Sequence, residues 1–362
     1  MSEFELHRGA WRGRMAGIRR SRNPRCPLVL ALVVVLGGVL LTACGGGANP
    51  GGSITVYNGQ HLQTTEALVS AFENRTGISV NIRSDDESVL ADQIVTEGGR
   101  TPADVFLSEN SPPLEVLVSK GLLAPVDRST LARTPARFSS AVGKWVGISA
   151  RVSVVDYNPS LLPPGRLPTS VMDLAQPRWK GKIGLAGQET DFQPLVTSIA
   201  HAFGAAVALR WLLAVKDNAS GHLYASNEVL VDAINRGQVA VGIINQYYWY
   251  RERAALGASG MHSEIAYFAP RDVGYLLDVS GAAVLRSSKN GSAAQKFVAF
   301  MTSRAGQEII AHGDSFEYPL ASGVTTAQAE TPFDELQPYQ ISIAALGTGV
   351  LAVRLLQEAQ LL

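Results

Sequence analysis

The chain has 362 residues, with 31 Lys and Arg balanced by 31 Asp and Glu, a formal net charge of zero and 17% charged residues. That length suffices for two domains or for one two-lobed unit with an ample core. The charge balance gives no footprint for a nucleic-acid partner and no acidic tail, and a chain that is 46% hydrophobic is not disordered.

The first segment reads as targeting rather than structure. Arg12, Arg14, Arg19, Arg20, Arg22 and Arg25 form a basic stretch, and PLVLALVVVLGGVLL (Pro27 to Leu41) is an apolar run too short and Gly-broken for a membrane span. LTAC (Leu41 to Cys44) resembles the lipobox of bacterial lipoproteins, in which the cysteine carries the lipid. The expectation is a signal peptide over 1–43, lipidation at Cys44 and a flexible Gly-rich tether over 44–53. Cys26 would leave with the signal peptide, so the mature domain has no free thiol. That excludes disulfides, Cys-ligated zinc and a cysteine nucleophile, and any metal must be held by oxygen and nitrogen.

From Ser53 onward, short β-rich runs alternate with helical patterns, the signature of an α/β fold with mainly parallel strands. ITVY (Ile54 to Tyr57) predicts a buried strand. Apolar residues at Ala67, Leu68, Ala71 and Phe72 predict a helix ended by Gly77, and ISVNI predicts the next strand, completing a βαβ unit. The pattern recurs as ADVFLS followed by PPLEVLVSKG, as KIGLA (Lys182 to Ala186) followed by PLVTSIAHAFG, and as VAVGIIN (Val239 to Asn245) followed by YYWYRERAALG. ARVSVVDYN is apolar enough to cross from one lobe to another. YNPSLLPPGRLPTS, rich in proline, marks a surface connection.

In open parallel sheets, ligands bind beyond the carboxyl ends of the strands, beside the following helix N-termini. Four such junctions here end in ligand-capable side chains: His61 after ITVY, Glu109 and Asn110 after DVFLS, Glu189 and Asp191 after IGLA, and Tyr247 with Tyr248 after GIIN. Each has a bland explanation. A histidine or acid at a helix start is ordinary capping and dipole chemistry, and a YYWY cluster is usually core. Their coincidence on one edge of the sheet is what points to a site. Phenols bind only a cation strong enough to displace their protons, and ferric iron is such an ion. His61, Glu109, Tyr247 and Tyr248 would bring three negative charges to it.

VYNGQH, TPADVFLSEN, QPRWKGKIG, NQYYWY, SGAAVL, AQKFVAFM and EYPL occur in that order, and together they resemble the bacterial ferric-ion-binding proteins, the substrate-binding components of iron(III) ABC transporters. The resemblance implies a two-lobed periplasmic-binding-protein fold of type II, each lobe a mainly parallel sheet flanked by helices and joined by hinge strands. The first lobe is expected over 54–150, the second over 151–265, a return to the first over 266–325 and a C-terminal segment on the second over 326–362. The resemblance also implies Fe3+ as transported ligand on His61, Glu109, Tyr247 and Tyr248, with a permease and its ATPase as partners of a monomeric, non-enzymatic protein.

Many members of that family complete the iron shell with phosphate or carbonate, held by a small Ser-Gly-Ala turn and polar helpers. Asn110, Asn227 and Asn245 fit the helpers, but Glu189, Thr190 and Asp191 replace the small turn, and carboxylates repel an incoming anion. Either Glu189 or Asp191 substitutes for the anion as an additional ligand, or the loop merely caps its helix. Arg151 and Arg271, near the crossover segments, read as surface salt bridges or as support for the site. The rival solutes are thiamine, a polyamine or an oxyanion, which would leave His61 and Glu109 without a role. A metal-dependent hydrolase is a poorer fit, since the chain has no HExxH and no nucleophile elbow.

Overall fold

The computed structural model describes residues 52–329 and 331–362; the signal peptide, Cys44 and nearly all of the tether lie outside the described residues. The chain runs β1 (Ser53–Gly59), α1 (Leu62–Thr76), β2 (Ser79–Ser84), α2 (Glu87–Glu97), β3 (Val105–Ser108), α3 (Ser111–Ser119), the one-turn α4 (Arg128–Leu131) and the long β4 (Trp145–Tyr157). It continues with α5 (Phe192–Phe203), α6 (Ala205–Ala219), α7 (Asn227–Asn235), β5 (Val241–Asn245), α8 (Gln246–Leu256), β6 (Glu264–Ala266) and β7 (Leu277–Val284). It closes with α9 (Gly291–Met301), α10 (Arg304–His312), β8 (Tyr318–Pro319), α11 (Ile343–Leu346) and α12 (Val350–Glu358). Among the described residues no helix is long and apolar enough to cross a membrane.

β1 pairs in parallel with β2 and with β3, as two βαβ units require. Its residues feed both faces. Ile54 and Val56 pack with Leu68 and Phe72 of α1 and Phe297 of α9, whereas Tyr57 packs on the opposite side with Leu90, Ile94, Leu114 and Leu117 of α2 and α3. Helices therefore cover both faces, and the strand ends are left as the accessible edge. Gly77, at φ 69°, ends α1 in the left-handed conformation that glycine adopts without steric cost.

β4 is buried along all 13 residues and changes partners midway. Trp145 to Val152 pair antiparallel with β7, and Ser149 and Ala150 also pair with β8. Ser153 to Tyr157 pair antiparallel with β5, and Val155 to Tyr157 also pair with β6. One strand thus joins two groups of strands, β7 and β8 along its first part and β5 and β6 along its second. The apolar run that the sequence marks as a crossing segment lies on β4. KIGLA forms a thinner element than expected: Ile183 bridges Val241 and Leu185 bridges Leu223, both in parallel, with no continuous ladder. At the C-terminus α11 packs between α3 and α5, and α12 packs on α5 and α6.

Candidate metal centre

The junction after β1 presents Gln60 and His61. Asn58 fixes the turn, donating from Nδ2 to the Gln60 carbonyl at 2.7 Å and accepting from Thr65 at 2.8 Å. Gly59 is needed there because a Cβ would lie 2.5 Å from Cβ of Glu87, so α2 can approach only a bare backbone. His61 caps α1 with no side-chain capping bond, and its ring instead meets Oε1 of Gln60 through Nδ1. The ring stands edge-on to Tyr247 at 4.9 Å, and its Nδ1 is 3.7 Å from Oε1 of Glu109. Gln60 is buried and reaches back to Ser280 and Glu317.

After β3 the chain presents Glu109 and Asn110 at the start of α3. Asn110 is held by the buried Glu87, which accepts from its amide N at 2.6 Å and its Nδ2 at 2.8 Å. α8 follows β5 without a linker, so Tyr247 and Tyr248 fall in its first turn. Gln246 locks that turn, accepting from the amide of Val152 at 2.7 Å and donating to the carbonyl of Phe316 at 3.1 Å. The two phenol rings lie 4.1 Å apart between centroids, and the guanidinium of Arg251 covers a face of Tyr247 at 4.6 Å.

The oxygens converge. Tyr247 Oη is 2.7 Å from Glu109 Oε1 and 3.0 Å from Asp191 Oδ2, and Tyr248 Oη is 3.0 Å from the same Asp191 oxygen. A small hard cation in an octahedral shell with bonds of about 2.0–2.1 Å sets neighbouring donors about 2.9 Å apart. The three oxygen separations have that spacing. Among the described residues no trio drawn from His, Cys, Asp and Glu alone forms a metal cage, so the phenols are what complete a donor set.

Asp191 and Glu189 part company. Asp191, at the start of α5 and 8% exposed, places Oδ2 between the phenols, while its Oδ1 accepts from Asn110 at 3.1 Å and from Arg151 Nη2 at 3.3 Å. Glu189 turns toward α7 and accepts from the amide of Asn227 at 3.2 Å, lining the cleft without touching either phenol. Asn227 and Asn245 are both buried beside Asp191, and Nδ2 of Asn245 has no hydrogen-bond partner.

Arg151 departs from the surface salt bridge that its sequence context suggests. It lies on β4, fully buried, and donates to the Glu109 carbonyl, to Ser280 Oγ at 2.9 Å and to Asn110 Oδ1, with Glu317 at 3.8 Å. Burial opposes its charge, but Asp191, Glu109, Asp278 and Glu317 outweigh burial and raise its pKa, so it stays a cation. Arg271 makes neither of the expected contacts: at φ 66° it donates to the carbonyls of Gln337 and Pro338 in the C-terminal segment.

The carboxyl groups around Arg151 outnumber it, and the surplus negative charge is relieved by protons. Burial, then Asp191, raises Glu109 well above the ordinary carboxyl range. Burial, then Glu109, lifts Glu87 to about 8, and burial, then Asp191, lifts Glu189 to about 7. Asp278 rises to about 7 through burial despite Arg151. Both phenols are pushed up by burial, then by Asp191 and Glu109. The cluster therefore holds protons that a strong cation can replace.

Gln60, Glu87, Ser280 and Glu317 also belong to the site. Three of them lie in the motifs VYNGQH, SGAAVL and EYPL, so the signal was present without a role attached; Glu87, which sits in no motif, had none.

Residues 54–313 match the family of bacterial extracellular solute-binding proteins. The Fe(3+)-binding periplasmic protein of Serratia marcescens is 36% identical over 334 residues, covering 92% of this chain and 98% of its own. The major ferric iron-binding protein of Neisseria meningitidis is 38% identical over 308 residues, covering 84% and 92%. The crystal structure of iron-bound HitA from Pseudomonas aeruginosa, 41% identical, superposes with a TM-score of 0.81 over 85% of this chain and 99% of that one. The chain belongs to the bacterial extracellular solute-binding protein family, in its branch of periplasmic ferric-iron-binding proteins.

Proposed function

We propose that this chain binds a bare ferric ion in the cleft between its lobes and delivers it to the permease of an iron(III) ABC import system, held at the membrane by lipid on Cys44. The observation that carries the reading is the chain of oxygens from Glu109 through Tyr247 and Asp191 to Tyr248, with His61 at its end. His61 and Glu109 come from the first lobe, and Asp191 and the tyrosines from the second, so the full shell exists only when the lobes meet. Ligand bonds made on closure are what drive closure.

Asp191 serves as the fifth ligand, in the place an external anion would take. Charge arithmetic supports this. Two phenolates, Glu109 and Asp191 bring four negative charges against the three of Fe3+, and Arg151, which also faces Glu317 and Asp278, stands against Asp191 on the side of the excess. Arg151 and Asn110 hold Oδ1 of Asp191, leaving Oδ2 for the metal. An organic cation is a poorer fit because Arg251 and Tyr248 already lie against the ring of Tyr247, leaving no open aromatic box.

Tyrosinate bound to ferric iron absorbs in the visible, so the purified protein should colour when mixed with a ferric salt. Tyr247→Phe combined with Tyr248→Phe should abolish the band. A colourless wild-type protein with no iron bound overturns the reading.

A further inference from the structure

The outer cleft leading to these donors has a volume of about 420 Å3, within the range of small-molecule sites, so a chelate of citrate size is not excluded by space. Its charge is one-sided. Asp85 and Asp86 line it from the first lobe, and Glu189 and Glu228 from the second. Local backbone bonds fix three of them: Asp85 accepts from the amide of Asp86, Asp86 caps α2 by accepting from the amides of Ser88 and Val89, and Glu189 accepts from Asn227. Arg251 is the cation lining the same space, and it is committed to the ring of Tyr247 and the carbonyl of Asp314.

Deeper in, the terminal guanidinium nitrogens and the Asn110 amide are already engaged, which leaves Nδ2 of Asn245 as a donor without a partner. The terminal nitrogens of Arg151 go to Asp191, Asn110, Ser280 and the Glu109 carbonyl, and the Asn110 amide goes to Glu87 and Asp191. A carboxylate of a chelator drawn into this cleft would lose its water among like charges, with those donors occupied.

Resting on the ferric reading above, we infer that the acidic cleft mouth is a kinetic selectivity element: it speeds the entry of iron as a cation or in cationic complexes and slows loading from anionic chelates such as ferric citrate. Low-dielectric walls of one sign change association rates by about 10–1000-fold, and salt screens the effect.

The test is a stopped-flow measurement of the visible band at low ionic strength, with ferric citrate as the anionic donor and the bis-acetohydroxamate complex of iron as the cationic one. The wild-type protein is compared with a triple variant, Asp85→Asn, Asp86→Asn and Glu228→Gln, which keeps the α2 cap because Asn caps as well as Asp. The final band should be the same in both proteins. The variant should load about tenfold more slowly from the cationic donor and several-fold faster from citrate, and salt should erase both differences. Unchanged rates for both donors, or rates that fall together for both, overturn the inference while leaving the ferric reading intact. Failure of the band to form in the wild-type protein removes the ferric reading itself.

Discussion

Replacing Asp191 by alanine removes two things at once. Oδ2 leaves the phenols, and Oδ1 leaves the Asn110 amide and the buried guanidinium of Arg151. Breaking a buried ion pair from one side costs about 3–5 kcal/mol, because the remaining charge is stranded. The metal-free variant should therefore unfold at distinctly lower denaturant than the wild-type protein. In the iron-bound state the lost anionic ligand, at about 3 kcal/mol, corresponds to roughly a hundredfold weaker binding. The vacated space, however, is faced by Arg151 and Asn110, a guanidinium and an amide that suit phosphate or carbonate. The assay is a competitive titration against a chelator, read in the visible band, with and without added phosphate. Wild-type affinity should ignore phosphate. Asp191→Ala should bind about a hundredfold more weakly in its absence and recover most of that loss in its presence, with a shifted band. A wild-type protein that needs phosphate, or an Asp191→Ala variant that titrates like wild type without it, refutes the assignment of Asp191 as the built-in anion.

Three further outcomes follow from the geometry. Each phenol must shed its proton to bind, and both are held above the ordinary tyrosine value by burial, then by Asp191 and Glu109, so affinity should rise with pH by about a hundredfold per unit when two protons leave; a flat profile in chelator competition contradicts this. Gly59→Ala would place a Cβ 2.5 Å from Glu87 Cβ and 2.7 Å from its Cα, so thermal unfolding should show a loss of about 1–3 kcal/mol, with weaker iron binding because Glu87 holds Asn110. Asp156 on β4 is fully buried, with Ser263 and the Tyr157 amide near its carboxylate but outside good hydrogen-bond geometry, and burial raises its pKa well above the usual range. Its folded form holds the proton more tightly than the unfolded chain, so its share of stability is present below about pH 4 and is lost as pH rises through the folded value. Asp156→Asn should melt higher than wild type near neutrality, with the gap closing toward pH 4; a constant gap contradicts that.

That His61 and Glu109 would lie together was legible because β1 and β3 run in parallel and end on one edge; Tyr247 and Tyr248 follow β5, which pairs antiparallel with β4 and meets that edge from the opposite direction, so their arrival there follows from the chain's crossover and not from a single parallel sheet. Arg151 was not legible, because its neighbours in ARVSVV say only that it lies on a strand. Whether that arginine meets water or Asp191 is decided by residues 40 positions away. Glu189 and Asp191 could not be told apart for a related reason. Two residues apart at a helix start, they diverge only because the N-terminus of α7 attracts one and Arg151 with the phenols attracts the other. KIGLA shows the limit of β-propensity: Ile183, Leu185 and Ala186 are buried, and Ile183 and Leu185 bridge two neighbours, but no ladder forms. Glu317 reaches the site from β8's edge, and long-range placement of this kind leaves no periodic trace in the chain.

The claim on which everything else rests is the identity of the donors. Diffraction from iron-loaded crystals, recorded at the iron absorption edge, tests it most directly. A single anomalous peak within about 2.2 Å of His61, Glu109, Asp191, Tyr247 and Tyr248, with no phosphate in the shell, is the expected result. A peak elsewhere, or one that approaches the tyrosines while Asp191 stays on Arg151 and an external anion fills the shell, would contradict it.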